Sequence, residues 1–146
     1  MFQKILLPID LDQLRSAEAA LRVVNCLISN DNPEVVLLYV MPEIPAIVAH
    51  QIPAGTFGHA ESDAQVQLKK LAEEHELPER ATIIVRTGNA YREILTTARD
   101  VAADIIVMAS HEPELSDYLL GSVAARTVRH AHCSVMVVRG QTEQSE

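Results

Sequence analysis

Gly121-Ser122 stands just ahead of a segment of helical period, after a loop that runs from His111 to Leu120. The first N–H groups of such a helix lack intrahelical acceptors and its dipole is positive there, so the pair can hold an anion. Gly121 would let a phosphate approach the backbone and Ser122 would add a hydroxyl; the competing role for Ser122 is a plain N-cap. Asp10, at the end of the first apolar run, has the same duality: it can accept hydrogen bonds from a ribose or a metal-bound water, or cap the turn that follows. Ser110, His111 and Asp10 have the residue types of a hydrolase triad. Adjacent residues of an extended strand point to opposite faces, however, and no G-x-S-x-G elbow accompanies them. His130-Ala131-His132-Cys133 has metal-ligand types, yet it lies at a helix-to-strand junction, where a histidine more often meets the helix C-terminus. His50 and His59 fall in the longest stretch without Asp, Glu, Lys or Arg, Ile44 to Ala60. Its Pro45, Pro53, Gly55 and Gly58 exclude a continuous spanning helix and predict a loop, more often a solvated surface loop than one folded over a neighbouring crevice. No catalytic residue and no metal ligand is nominated from these groups.

The elements that must position these residues follow from periodicity. Apolar runs too short for helices alternate with longer segments of helical period, which is the mark of β-α units around a parallel sheet. Five strands are predicted: Gln3 to Ile9, Glu34 to Val40, Ala81 to Thr87, Asp104 to Ser110 and Ser134 to Arg139. Leu14, Ala17, Leu21, Val24 and Ile28 share one face of a helix with Asp12 as its N-cap and Asn30-Asp31-Asn32-Pro33 as its stop. A second helix, Ser62 to Glu76, buries Ala64, Leu68, Leu71 and Ala72. A third, capped by Asn89, carries Ile94, Leu95 and Ala98, and a fourth runs from Gly121-Ser122 to about Ala131. Residues 1–140 read as one domain and residues 141–146 as a frayed polar tail.

Central parallel strands are covered on both sides and read as continuously apolar. VVLLYV in the second strand is apolar throughout, which disfavours an edge position and favours the order 3-2-1-4-5. In that order the winding reverses between strands one and four, and ligands of open α/β sheets bind outside the C-terminal strand ends at such a reversal. Pro8-Ile9-Asp10 then forms one lip of a crevice and Ala109-Ser110-His111 the other.

Composition narrows the function classes. The 146 residues are 48% hydrophobic and 22% charged, enough for a single core. A net charge of −8 opposes non-specific attraction to nucleic acid or anionic lipid. MFQKILLPID reads as a strand rather than a leader, which makes a cytoplasmic location the expectation. Cys26 and Cys133 form no C-x-x-C pair and sit in apolar patterns, so both are expected to be buried thiols.

From KILLPID to SVMVVR the chain resembles the universal stress proteins. The segment MASHEPELSDYLLGSVAARTVRHAHCSVMVVR, with Ser110-His111, Pro113 and Tyr118-Leu119-Leu120-Gly121-Ser122, looks most like their bacterial F and G type branch. The resemblance implies an open α/β fold with an adenine nucleotide, ATP or AMP with or without Mg²⁺, in the crevice. It places the adenine against the backbone near Val40 and Asp10 near the ribose and phosphates. Nucleotide-binding members carry Gly, two residues, Gly, nine residues, then Gly-Ser or Gly-Thr. Here the first glycine falls on Ala109, the second on Glu112, and eight residues precede Gly121-Ser122. Carboxylates at Glu112 and Glu114 stand where the resemblance puts the phosphates, which predicts that AMP is tolerated better than metal-free ATP. Crevice and resemblance together nominate Pro8, Ile9, Asp10, Val40, Met108, Ala109, Ser110, His111, Gly121, Ser122 and Val123 as nucleotide-binding.

Three functions are compatible with this pattern. The first is a nucleotide-binding stress sensor that passes its state to a regulatory protein partner. The second is a degenerate, nucleotide-free interaction protein of the same fold. The third is a slow ATPase, for which the sequence offers neither a Walker-type lysine nor a convincing general base. A homodimer through the fifth strand (Val135, Met136, Val137, Val138) is expected, because an apolar strand at a sheet edge is an aggregation liability unless another chain covers it.

Overall fold

Each strand of the chain presents alternate side chains to two different helical layers, and that alternation organises the computed structural model, which describes residues 2–78, 81–110 and 120–139. Strands β1 (Lys4–Pro8), β2 (Glu34–Met41), β3 (Thr82–Thr87), β4 (Ile105–Ser110) and β5 (Ser134–Arg139) form one parallel sheet. Its order is β3-β2-β1-β4-β5, as the apolar run of β2 predicts. The long helices between them are α1 (Leu14–Asp31), α3 (Thr56–Glu74), α4 (Ala90–Asp100) and α5 (Ser122–His130); the four-residue α2 (Ala46–Ala49) precedes α3.

Ile5 and Leu7 of β1 join Val35, Leu37, Ile105 and Val107 on the face covered by α1 and α3. Leu6 points the other way, with Val36, Leu38, Ile106 and Met108, against Ile94 and Ala98 of α4 and Ala124 of α5. Burial of such side chains stabilises by about 1.5–3 kcal/mol each, and it fixes the register, since a one-residue slip would exchange the two faces. The β1 register, Ile5 against Val35 and Ile105, is fastened at the N-terminal edge of the sheet by Asp104. Its Oδ2 accepts from the N–H groups of Gln3 and Lys4, both at 2.8 Å.

Several sequence expectations are corrected. The stretch from Ile44 to Ala60 is not all loop: it contains α2 and the first residues of α3, so His59 is helical. The early turns of α3 escape detection because residues 58–63 are all exposed and show no apolar face for a periodicity to report. Leu14, expected on the buried face of α1, is 46% exposed. Cys26 is exposed, being about 200° around the helix from the buried Val24, and Cys133 is half-buried. Asp12 does not cap α1: Gln13 holds the N-cap position without a side-chain bond. The stop is as expected, with Asn32 left-handed at φ 48°. Asn89 caps α4, its side chain accepting from the Arg92 N–H at 3.3 Å. Among the described residues no helix is long and apolar enough to cross a membrane. The tail 141–146 lies outside the described residues.

Candidate functional site

After Pro8 the chain turns onto the α1 face of the sheet, whereas the chain leaving β4 reaches α5 on the opposite face. The diverging ends of β1 and β4 therefore leave a cleft of about 280 Å³, just below the roughly 300–1,000 Å³ typical of small-molecule sites. Pro8, Ile9 and Asp10 form one lip. Val40 of β2, Met108, Ala109 and Ser110 of β4, and Gly121 and Val123 at the start of α5 complete the nominated part of the wall.

Two nominated residues are not in that wall as described. Ser122 is the first residue of α5, exposed and outside the lining, and the N-cap is Gly121 without a side-chain bond. His111 lies outside the described residues, as do Glu112 and Glu114. The structure adds lining residues that the sequence reading did not name: Asp12, Gln13 and Ser16 where α1 begins, Tyr39 and Pro42 flanking Val40, and Ala90 and Ile94 of α4. Ala90 and Ile94 were signalled by their i, i+4 spacing directly after the Asn89 cap, a pattern that reads equally well as core.

Asp10 serves the local backbone. Its Oδ1 accepts the Asp12 N–H at 2.9 Å, and its carbonyl accepts the Gln13 N–H at 3.0 Å. This Asx-turn steers the chain from β1 into α1. Ser110 also has a structural partner, because its Oγ accepts the Gly121 N–H at 3.1 Å and ties the end of β4 to the start of α5. The polarity of the two sides differs. The β1–α1 lip carries the Asp10 and Asp12 carboxylates, and burial, then the charges of Asp12 and Asp10, push the Tyr39 phenol beside them above its usual range. Across the cleft the α5 N-terminus carries the positive end of a helix dipole. Between them Val40, Ile94, Met108 and Ala124 supply an apolar surface. This arrangement suits a ligand with a flat apolar part, hydroxyls that donate to a carboxylate, and an anionic end.

The remaining constellations do not converge on this cleft. His130 and His132 are exposed and Cys133 half-buried. Burial, aided by the Asp104 charge, pushes the Cys133 thiol up and so disfavours the thiolate a metal would need. Among the described residues no three His, Cys, Asp or Glu side chains gather as a metal site. His50 caps the end of α2 and is exposed.

Comparison with known proteins adds an independent finding. A model of the universal stress protein family matches residues 1–139. Universal stress protein G of Escherichia coli O157:H7 is 29% identical over 143 residues, covering 95% of this chain and all of that protein. Universal stress protein MJ0577 of Methanocaldococcus jannaschii is 32% identical over 157 residues, covering 95% of this chain and 96% of the relative. The solved structure of MJ0577 superposes with a TM-score of 0.82 at 28% identity over 98% of this chain and 99% of that one. Two more distant structures, each 17% identical, share the fold. One is a universal stress protein in complex with cAMP, with a TM-score of 0.65 over 96% of this chain and 98% of that one. The other is At3g01520 of Arabidopsis thaliana with AMP bound, with a TM-score of 0.66 over 99% and 96%.

Proposed function

The chain belongs to the universal stress protein family, and from that premise we propose that it is a stress-response protein that binds an adenine nucleotide between β1 and β4 and passes its bound state to a partner. The observation that carries this reading is the polarised cleft: a carboxylate-bearing lip at Asp10, an apolar wall, and a helix N-terminus opposite. Relatives of the same fold bind AMP or cAMP, which supports the ligand class. The residues present fit such a ligand in one orientation. Val40, Ile94 and Met108 offer dispersion contacts to a purine, Asp10 accepts from ribose hydroxyls, and the phosphates lie away from Asp10 and Asp12, towards Gly121 and the first turn of α5.

A second reading has an observation of its own. Ala109 stands where nucleotide-binding relatives are expected to have glycine, and the Gly121 N–H is already engaged by Ser110. Both features favour an interaction protein of this fold that does without nucleotide. Thermal-shift titrations with adenosine, AMP, cAMP and ATP, each with and without Mg²⁺, separate the two. A ligand that binds only the native state adds about 2.7 kcal/mol at one hundred times its Kd, which is roughly 5 °C or more in Tm for a domain of this size. AMP is expected to give such a shift. Equal Tm values with every ligand at millimolar concentration would leave the interaction-protein reading standing.

A further inference from the structure

On the sheet face opposite α1 and α3, the helices α4 and α5 carry Arg92, Arg99, Arg126 and Arg129. The two carboxylates of α4, Glu93 and Asp100, both engage Arg86 of β3, at 4.0 and 3.0 Å. None of the four helix arginines has an ion-pair partner among the described residues. With Arg86 these helices hold five arginines against two carboxylates, net +3 with histidine neutral, in a chain of net −8. Positive charge is thus concentrated on one face of an acidic protein.

Two of these arginines meet on one phenol. The Cζ atoms of Arg92 and Arg126 lie 5.8 and 5.2 Å from the Tyr91 ring centroid, within cation–π range. Arg92 Nε donates to the Tyr91 oxygen at 3.2 Å, and the phenol's own O–H has no acceptor among the described residues. Two cations gathered on one ring repel each other. Arg92 also stands in the first turn of α4, where the helix dipole is already positive. The bond from Arg92, with the charges of Arg92 and Arg126, holds the Tyr91 phenol below its usual range, so this spot favours negative charge on oxygen.

We propose that Arg92, Tyr91 and Arg126 form a subsite for a phosphoryl dianion. Arg126 presents a whole guanidinium fork, Arg92 retains its terminal nitrogens, and the phenol adds an O–H, donors of the kind that the terminal oxygens of a phosphoryl group accept. A dianion neutralises both cations, whereas a carboxylate neutralises one. The phosphate can come from two sources. One is a nucleotide seated in the cleft, whose wall includes Ala90 beside Tyr91 and Val123 one turn before Arg126; the other is free phosphate. The subsite does not depend on what occupies the cleft.

Inorganic phosphate titrated into the full chain at low ionic strength, followed through arginine Nε–H and backbone amide resonances, tests this. Shifts at Arg92, Tyr91 and Arg126 are expected, with acetate binding more weakly. R92A and R126A should each weaken phosphate binding about fivefold to tenfold, while R92K and R126K, which keep the charge and lose the fork, should lie between. These side chains are exposed, so wild-type Tm values will show that the variants are folded. Displacement of phosphate by metal-free ATP, with R92A weakening ATP and leaving adenosine unchanged, identifies the nucleotide as the source. Simultaneous binding of both identifies free phosphate, and either result supports the subsite. Phosphate shifts that bypass Tyr91, or folded alanine variants with unchanged phosphate affinity, overturn it.

Discussion

Asp10 has two tasks, and its variants separate them. Asp10→Asn keeps an oxygen that can accept the Asp12 N–H but removes the charge, whereas Asp10→Ala removes the turn bond as well. The alanine variant should be about 1 kcal/mol less stable in urea unfolding than the asparagine variant. The charge is legible through Tyr39. Its phenol, raised above 10.0, keeps its proton in the folded state at a pH where the unfolded chain has begun to lose it. Stability from this source is full below about pH 10 and falls as the pH rises through the higher folded value. Asp10→Asn should flatten that fall, and an unchanged alkaline slope would show that Asp10 does not act on Tyr39. Thr97 offers a cleaner case in the core. Among the described residues its buried Oγ1 has no hydrogen-bond partner, so Thr97→Val, nearly isosteric and similar in helix propensity, should raise stability by about 1 kcal/mol in urea unfolding. A loss of stability would reveal a partner for that hydroxyl.

Gly88, in the turn from β3 into α4, sets the angle at which Ala90 and Ile94 enter the cleft wall. Its φ of 151° suits glycine, and a Cβ there would lie 3.0 Å from Glu93 Oε1. Gly88→Ala should therefore cost about 1–2 kcal/mol in chemical denaturation, and an unchanged midpoint would contradict the strain. At the far edge of the sheet, β5 is half-buried along Val135 to Val138 and, among the described residues, pairs on one side only, with β4. We propose that a second copy covers it. Sedimentation equilibrium at micromolar concentration should then give twice 16.1 kDa, and a monomer mass would refute the pairing.

The strands were legible in the sequence because each buries apolar side chains on two faces, and the order followed because β2 carries no polar position from Val35 to Leu38. The wall of the candidate site was legible from topology at Pro8, Asp10 and Ala109, and at Gly121 from its place at the start of a helix. Gln13, Ser16, Tyr39 and Ala90 were not, because a residue becomes part of a wall only through the packing angle of its helix or the path of its strand end, and periodicity reports burial rather than neighbours. The early turns of α3 give no such signal at all, because residues 58–63 are exposed and bury no apolar face.

At the scale of the molecule, charge and topology divide the surface. The acidic β1–α1 lip, the positive end of the α5 dipole and Arg92 in the first turn of α4 lie around one end of the sheet, while the opposite end is closed by Asp104 on Gln3 and Lys4 and by the 3.3 Å Lys4–Glu34 pair. The cleft between β1 and β4 is lined from both helical layers, by α1 on one side and by α4 and α5 on the other, and the proposed passing of a bound state to a partner rests on a ligand there touching both. The most direct measurement of that claim is amide chemical-shift mapping of the full chain with AMP. Saturable shifts are expected at Asp10, Val40, Ala109, Gly121 and Val123. Shifts confined to the N-terminal edge, at Glu34, Thr82 and Ser134, or no saturable shift at millimolar AMP, would contradict it.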